Sequence, residues 1–121
     1  NLHIWQTNEA LPMIVDDGMT LTKLEKKTKF VDFIVEIDRN IVSLDAIDEH
    51  KDDFMRSEIL GYMKECYRPV LEMCKKAKLG FRYRFKYPNT SKFVDIAYPY
   101  EVLTKDPMIA NLNMSEVKPT K

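Results

Sequence analysis

Residues 30–37, Phe-Val-Asp-Phe-Ile-Val-Glu-Ile, put Val31, Phe33, Val35 and Ile37 on one side of an extended chain. Phe30, Asp32, Ile34 and Glu36 fall on the other. That period of two predicts a strand. The preceding Met-Thr-Leu-Thr-Lys-Leu-Glu-Lys, residues 19–26, predicts its hairpin partner, because only a short link at 26–28 separates them. Before this hairpin, Leu2, Trp5, Ala10 and Leu11 mark the end of a helix stopped by Pro12. Val-Asp-Asp-Gly-Met, residues 15–19, reads as a turn, with Asp16 and Asp17 bonding nearby backbone and Gly18 tolerating positive φ.

After a crossover loop at 39–47 the period changes. Met55, Ile59, Tyr62 or Met63, and Cys66 recur at three- and four-residue steps and predict a helix over 47–67. Pro69 kinks that helix or starts a second one, whose apolar face is Val70, Met73, Cys74 and Ala77, with Gly80 as the expected cap. Phe81–Tyr87, Phe-Arg-Tyr-Arg-Phe-Lys-Tyr, then opens a second hairpin. Pairing Tyr87 with Lys92 sets Phe85 against Val94, Tyr83 against Ile96 and Phe81 against Tyr98. Arg82, Arg84 and Lys86 take the far face, with Arg84 opposite Asp95, and Pro99 ends the strand. The expected fold is α+β: an antiparallel sheet built from two β-hairpins with helices packed on one face, in α-β-β-α-β-β order. Residues 1–103 form the single domain and 104–121 a polar tail with Pro107 and Pro119.

Thr-Lys-Phe-Val-Asp-Phe at 28–33 is echoed by Ser-Lys-Phe-Val-Asp-Ile at 91–96. Both open the second strand of a hairpin. An old duplication and two half-buried strands converging on similar words both explain it, and two copies are too few for a solenoid.

The alternating rings and cations of residues 81–87 admit two readings. Strand aromatics serve as base-stacking platforms in RNA-recognition sheets, and Gly-Phe-Arg-Tyr-Arg-Phe, residues 80–85, resembles such a strand. The match fails at Arg84, where an aliphatic residue belongs, and at Phe85, which is out of phase. The helices also need an apolar face to cover, and the only rich one carries Val31, Phe33, Val35, Tyr83, Phe85 and Ile96. The rings are therefore expected in the core. The outer face then bears Arg82, Arg84, Asp32 and Asp95 as a solvated ladder, plus Phe30, Ile34 and Phe93. Three large apolar groups on one sheet surface call for a cover by the N-terminal helix or the tail, or else mark a protein partner surface or a homodimer contact.

Composition narrows the function. The chain has 121 residues, 19 Lys and Arg against 19 Asp and Glu, and 45% hydrophobic residues. Such a chain suits one domain and argues against a dedicated nucleic-acid binder. No apolar run approaches the ~18 residues of a membrane helix. The chain starts at Asn1, compatible with removal of a leader or a lipid anchor, the only membrane link expected. Cys66 and Cys74 are eight positions apart, ~12 Å on an unbroken helix, while a disulfide needs Cα atoms within ~7 Å. They bond only if Pro69 breaks the helix sharply. Both lie on the expected buried stripe and are expected as free thiols.

Catalytic and metal chemistry finds little support. His50 stands among Asp45, Asp48, Glu49, Asp52 and Asp53, and a helix would align Asp45, Glu49 and Asp53. The glycine-turned calcium loop is lacking, as are zinc-type His and Cys spacings, so a solvated helix start near the positive dipole end explains the acids. Nothing places His3 or His50 near a thiol for Cys–His catalysis. With only Gly18, Gly61 and Gly80 there is no phosphate-cradling loop. No catalytic residue, metal or cofactor is expected.

Asn8, Leu11, Pro12, Val15, Asp16, Thr20 and Leu21, the strand at 30–37, Cys66, Gly80 and the strand at 81–87 together resemble a family of small, uncharacterised bacterial proteins, often exported or lipid-anchored. The resemblance spans about residues 8–102. Two features depart from it: the strand aromatics sit at a different distance from the glycine, and the cysteine some members carry after the last strand has no counterpart near Tyr100 or Glu101. The resemblance implies a periplasmic, envelope or secreted location and no activity. The leading expectation is a non-catalytic protein that binds another protein through Phe30, Ile34, Phe93, Arg82, Arg84, Asp32 and Asp95. The alternatives are a ligand-binding or enzymatic pocket between sheet and helix lined by Tyr62, Tyr83 and Tyr98, and single-stranded nucleic-acid binding.

Overall fold

The computed structural model describes residues 2–52 and 54–105, with side chains for 6–52 and 57–105. In chain order it contains α1 (Leu2–Glu9), β1 (Met13–Asp16), β2 (Met19–Lys26), β3 (Phe30–Ile37), α2 (Leu44–His50), α3 (Phe54–Cys66), α4 (Arg68–Ala77), β4 (Gly80–Lys86), β5 (Phe93–Tyr98) and α5 (Tyr100–Lys105). The fold is α+β. Its five strands lie in the order β1-β2-β3-β4-β5.

The two expected hairpins are present, and the second has the expected register: Phe81 with Tyr98, Tyr83 with Ile96, Arg84 with Asp95, Phe85 with Val94. The sheet is mostly antiparallel but mixed, because β3 and β4, the inner strands of the two hairpins, pair in parallel. A parallel pair needs a long crossover, and α2, α3 and α4 supply it. The turn read at 15–19 is shorter than expected. Met13–Asp16 is a strand paired with β2, and the chain reverses at Asp17 and Gly18, whose φ of 71° is open to glycine at little cost.

The expected helix at 47–67 is two helices. The first begins earlier, at Leu44, because Ser43 Oγ accepts hydrogen bonds from the Asp45 and Ala46 N–H groups. A third helix, α4, starts at Arg68, with Pro69 in its first turn, where its missing N–H costs no bond. Gly80 is not the cap of α4. Lys78 takes the left-handed conformation at φ 59°, and Leu79 N–H returns to Cys74 O at 2.9 Å. Gly80 is needed elsewhere: a Cβ there would collide with the Tyr98 carbonyl oxygen. Of the stripe expected at 55–66, Ile59 and Met63 are buried, Met55's side chain lies outside the described residues, and Cys66 is exposed rather than buried. Of the polar tail expected from 104, Thr104 and Lys105 close α5 and the remainder lies outside the described residues.

The core lies on one face of the sheet. Val31, Phe33, Val35, Phe81, Phe85 and Ile96 are each at most 2% exposed. Met63, Val70, Leu71, Cys74 and Leu103 cover them from the helices. Phe33 stacks on Tyr83 at 4.6 Å and Phe81 on Tyr98 at 4.6 Å. Truncating a buried ring of this kind to Ala costs ~3–5 kcal/mol. At the open edge of β2, beyond the end of β1, Asn8 acts as a strand residue would. Its side-chain amide donates to Leu24 O at 3.0 Å and accepts from Leu24 N–H at 2.8 Å, tying α1 to the sheet.

Candidate interaction face of the sheet

With the helices on one side, the outer face carries the alternate residues of each strand. The register aligns them in rows. Glu25, Asp32, Arg82 and Ala97 form one, Lys23, Ile34, Arg84 and Asp95 the next, and Thr20, Glu36, Lys86 and Phe93 a third.

The repeated Lys-Phe-Val-Asp explains half of this surface. Asp32 receives two hydrogen bonds from Arg82, through Nε and a terminal nitrogen, both 2.9 Å. The same guanidinium lies 4.7 Å over the Phe30 ring. In the second copy, Asp95 receives the matching pair from Arg84 at 2.8 and 2.9 Å, and that guanidinium lies 3.9 Å over Phe93. Each copy therefore holds one arginine of β4 between a ring and a carboxylate. Planar, bidentate pairing suits arginine and not lysine. The hydrogen bonds to Asp32 and Asp95, first among the causes, raise the pKa of Arg82 and Arg84 above the ordinary value.

The two clasps differ in burial. Asp32 is 2% exposed with Arg82 at 24%, whereas Arg84 and Asp95 are at 32% and 26%. The expected solvated ladder thus describes the second pair and not the first. At the far edge of the row, the hydrogen bond from Lys23, 2.8 Å away, holds the Glu25 carboxyl below its usual range.

The face gathers its expected partner-binding residues unequally. Asp32, Ile34, Arg82, Arg84 and Asp95 are neighbours. Phe30 is level with Gly80 and Phe93 with Lys86, six residues apart along β4, or ~20 Å. The two rings therefore belong to opposite ends of the sheet. Phe93 is 47% exposed, while Phe30 and Ile34 are half-buried.

The tyrosines of the alternative pocket pack in or against the core, Tyr62 only partly buried. Tyr83 and Tyr98 are buried, and Tyr83 Oη donates to Met63 Sδ at 3.3 Å. Burial drives the Tyr83 phenol well above its usual range, and burial followed by the Tyr67 hydroxyl does the same for the half-buried Tyr62. Phe81, Tyr83 and Phe85 present no ring to solvent, so the strand offers no base-stacking platform. Burial also pushes the Cys74 thiol up to about 12, and both cysteines are free. Among the described residues no three His, Cys, Asp or Glu side chains converge as metal ligands would. Asp53 and the His3 side chain lie outside the described residues.

Two clefts, neither foreseen in the sequence, flank β1. The larger, about 430 Å³, runs along the outer face between Pro12, Ile14, Thr20, Thr22, Glu36 and Asp38. The smaller, about 260 Å³, lies between α1, α4 and Met13, with Tyr67 and Val70 in its wall. Ile14, at the lip of the first, is 77% exposed. No local pattern could have announced them, because the first depends on how β1 sits against β2 and the second on how α1 and α4 meet beside Met13.

This is an α+β domain whose mixed sheet, among the described residues, has helices on one face only. Neither a protein-family model nor a curated protein matches the chain. Among solved structures it is similar to a "putative secreted protein" from Pseudomonas aeruginosa, with a TM-score of 0.61 at 8% identity over 78% of this chain and 80% of that one. At that identity the likeness establishes the fold. Among the described residues no helix is long and apolar enough to cross a membrane.

Proposed function

We propose that this is a non-catalytic protein of the bacterial envelope or exterior that binds another protein through the open face of its sheet. The observation that carries the reading is the outer sheet face, which no helix covers among the described residues and which bears two exposed apolar residues, Ile14 on β1 and Phe93 on β5, with a cleft of about 430 Å³ beside the first. Thr20, Glu36 and Lys86 lie in the row between them, so the face offers two separate apolar anchors on a polar surface rather than one continuous patch. The sequence resemblance to exported proteins and the description of the Pseudomonas fold relative support the location.

Photo-crosslinking side chains placed at Phe93 and Thr20, with one at the exposed Lys76 of α4 as control, test it in cells that make the protein. The expected result is a discrete adduct with a second protein from the two sheet positions and none from Lys76. Equal labelling from all three, or none from the sheet, refutes the reading. Fractionation of the same cells tests location, and a purely cytoplasmic pool refutes export.

A further inference from the structure

The two clefts share an edge. Met13 lines the smaller and Ile14 the larger. Consecutive strand residues point to opposite faces of a sheet, so the clefts open on opposite sides of β1. Among the described residues that strand has a neighbour, β2, on one side only. Three of its four residues are exposed, Met13 at 39% and Ile14 at 77% among them. Edge strands are usually blunted by charge, proline or a covering element. Here the strand is four residues long, follows Pro12 and carries a bulge between Ile14 and Asp16, and three apolar residues, Met13 to Val15, precede its first charge, Asp16.

We propose that β1 is an acceptor edge: an extended segment of another protein adds beside it as a further strand and places alternate side chains in the two clefts. The inference rests on the protein-binding reading above and specifies its partner. In strand addition the main-chain bonds give affinity and the pockets on either face give specificity. The clefts differ in chemistry. The outer one is walled by Pro12 and Ile14 and carries Glu36 and Asp38, neither of which has an ion-pair partner among the described residues. A Lys or Arg side chain suits it, with its methylenes against the wall and its charge between the carboxylates. The inner one, walled by Ala10, Met13, Tyr67, Pro69 and Val70, suits an aliphatic side chain. The segment therefore reads aliphatic–cation–aliphatic. A second copy of this chain is a poor occupant, because its own edge, Met-Ile-Val-Asp, offers no cation.

The probe is the blocked pentapeptide Thr-Ile-Lys-Ile-Thr, titrated to millimolar concentration into the isotope-labelled full chain and followed by amide NMR. Shifts are expected at residues 13–16 and along both clefts. Replacing the peptide's Lys by Glu weakens binding about tenfold or more, and N-methylation at alternate peptide nitrogens abolishes it. Glu36→Gln narrows the Lys-over-Glu preference while leaving the fold's spectrum intact. Absence of shifts at 13–16, or equal binding of the N-methylated peptide, overturns the inference. Shifts confined to Ile34 and Phe93 overturn it while leaving the outer-face reading standing. A concentration-dependent homodimer that protects β1 amides from exchange also overturns it.

Discussion

Replacing Arg82 with Met leaves the Asp32 carboxylate at 2% exposure without its partner, whereas the same change at Arg84 leaves Asp95 at 26% exposure, open to water. The two pairs share a strand, a bidentate geometry and a ring beneath the guanidinium, so burial is the main variable between them. Two unit charges ~4 Å apart interact by ~4 kcal/mol at an effective dielectric of ~20 and by ~1 kcal/mol in bulk water. Desolvation reduces the first figure. Double-mutant cycles are therefore expected to give a coupling of ~2–3 kcal/mol for Arg82→Met with Asp32→Asn. The matching cycle, Arg84→Met with Asp95→Asn, should give ~1 kcal/mol or less. The single Arg82→Met change should cost ~3–5 kcal/mol, because it orphans a buried charge. Equilibrium unfolding in urea, read by circular dichroism, supplies the free energies. Repeating both cycles in ~0.5 M salt should shrink the Arg84 coupling more than the Arg82 coupling. Couplings equal within ~0.5 kcal/mol, near the limit of additivity for independent sites, would show that burial does not set the strength of these clasps.

Asn8→Ala removes both side-chain bonds to Leu24 and leaves an edge N–H and C=O unpaired, so a loss of ~1–3 kcal/mol and faster Leu24 amide exchange are expected. Lys78→Gly relieves a left-handed residue at a helix C-terminus and should raise stability by ~0.5–1 kcal/mol, read as a higher Tm. Cys74 keeps its proton in the folded state up to about 12 but loses it near 9.0 when unfolded. Its contribution is therefore complete below pH 9 and declines as pH rises towards 12. Cys74→Ala should flatten that alkaline limb, and an aromatic thiol reagent should modify Cys66 in the native protein and Cys74 only after unfolding.

The parts legible in the sequence are those with strong alternation. Residues 30–37 and 81–98 fixed their faces because every inward position is apolar, and a one-residue slip would expose all of them. Ser43 was hidden because Ala46, not an acid, stands where a capping box would complete the signal. Cys66 left its stripe because α3 ends there and α4 starts afresh at Arg68, so the two apolar faces are not one continuous surface. The parallel junction of β3 with β4 could not be read at all. Which edges of two hairpins meet is decided by the crossover and the core, not by any local period. Asp32 likewise looks like any other strand carboxylate, and its burial comes from its tertiary setting, which no local pattern reports.

The paired Phe-Val-Asp units bear on strand alignment. Suppose β4 slid two residues along β3. Arg84 could then reach Asp32, so the junction alone would tolerate the error. Arg84 would have to abandon Asp95, however, and Arg82 would be left level with Phe30 and no carboxylate. With one arginine committed to each neighbour, a mismatch on one side is felt on the other, and of these settings the observed one gives both arginines a carboxylate.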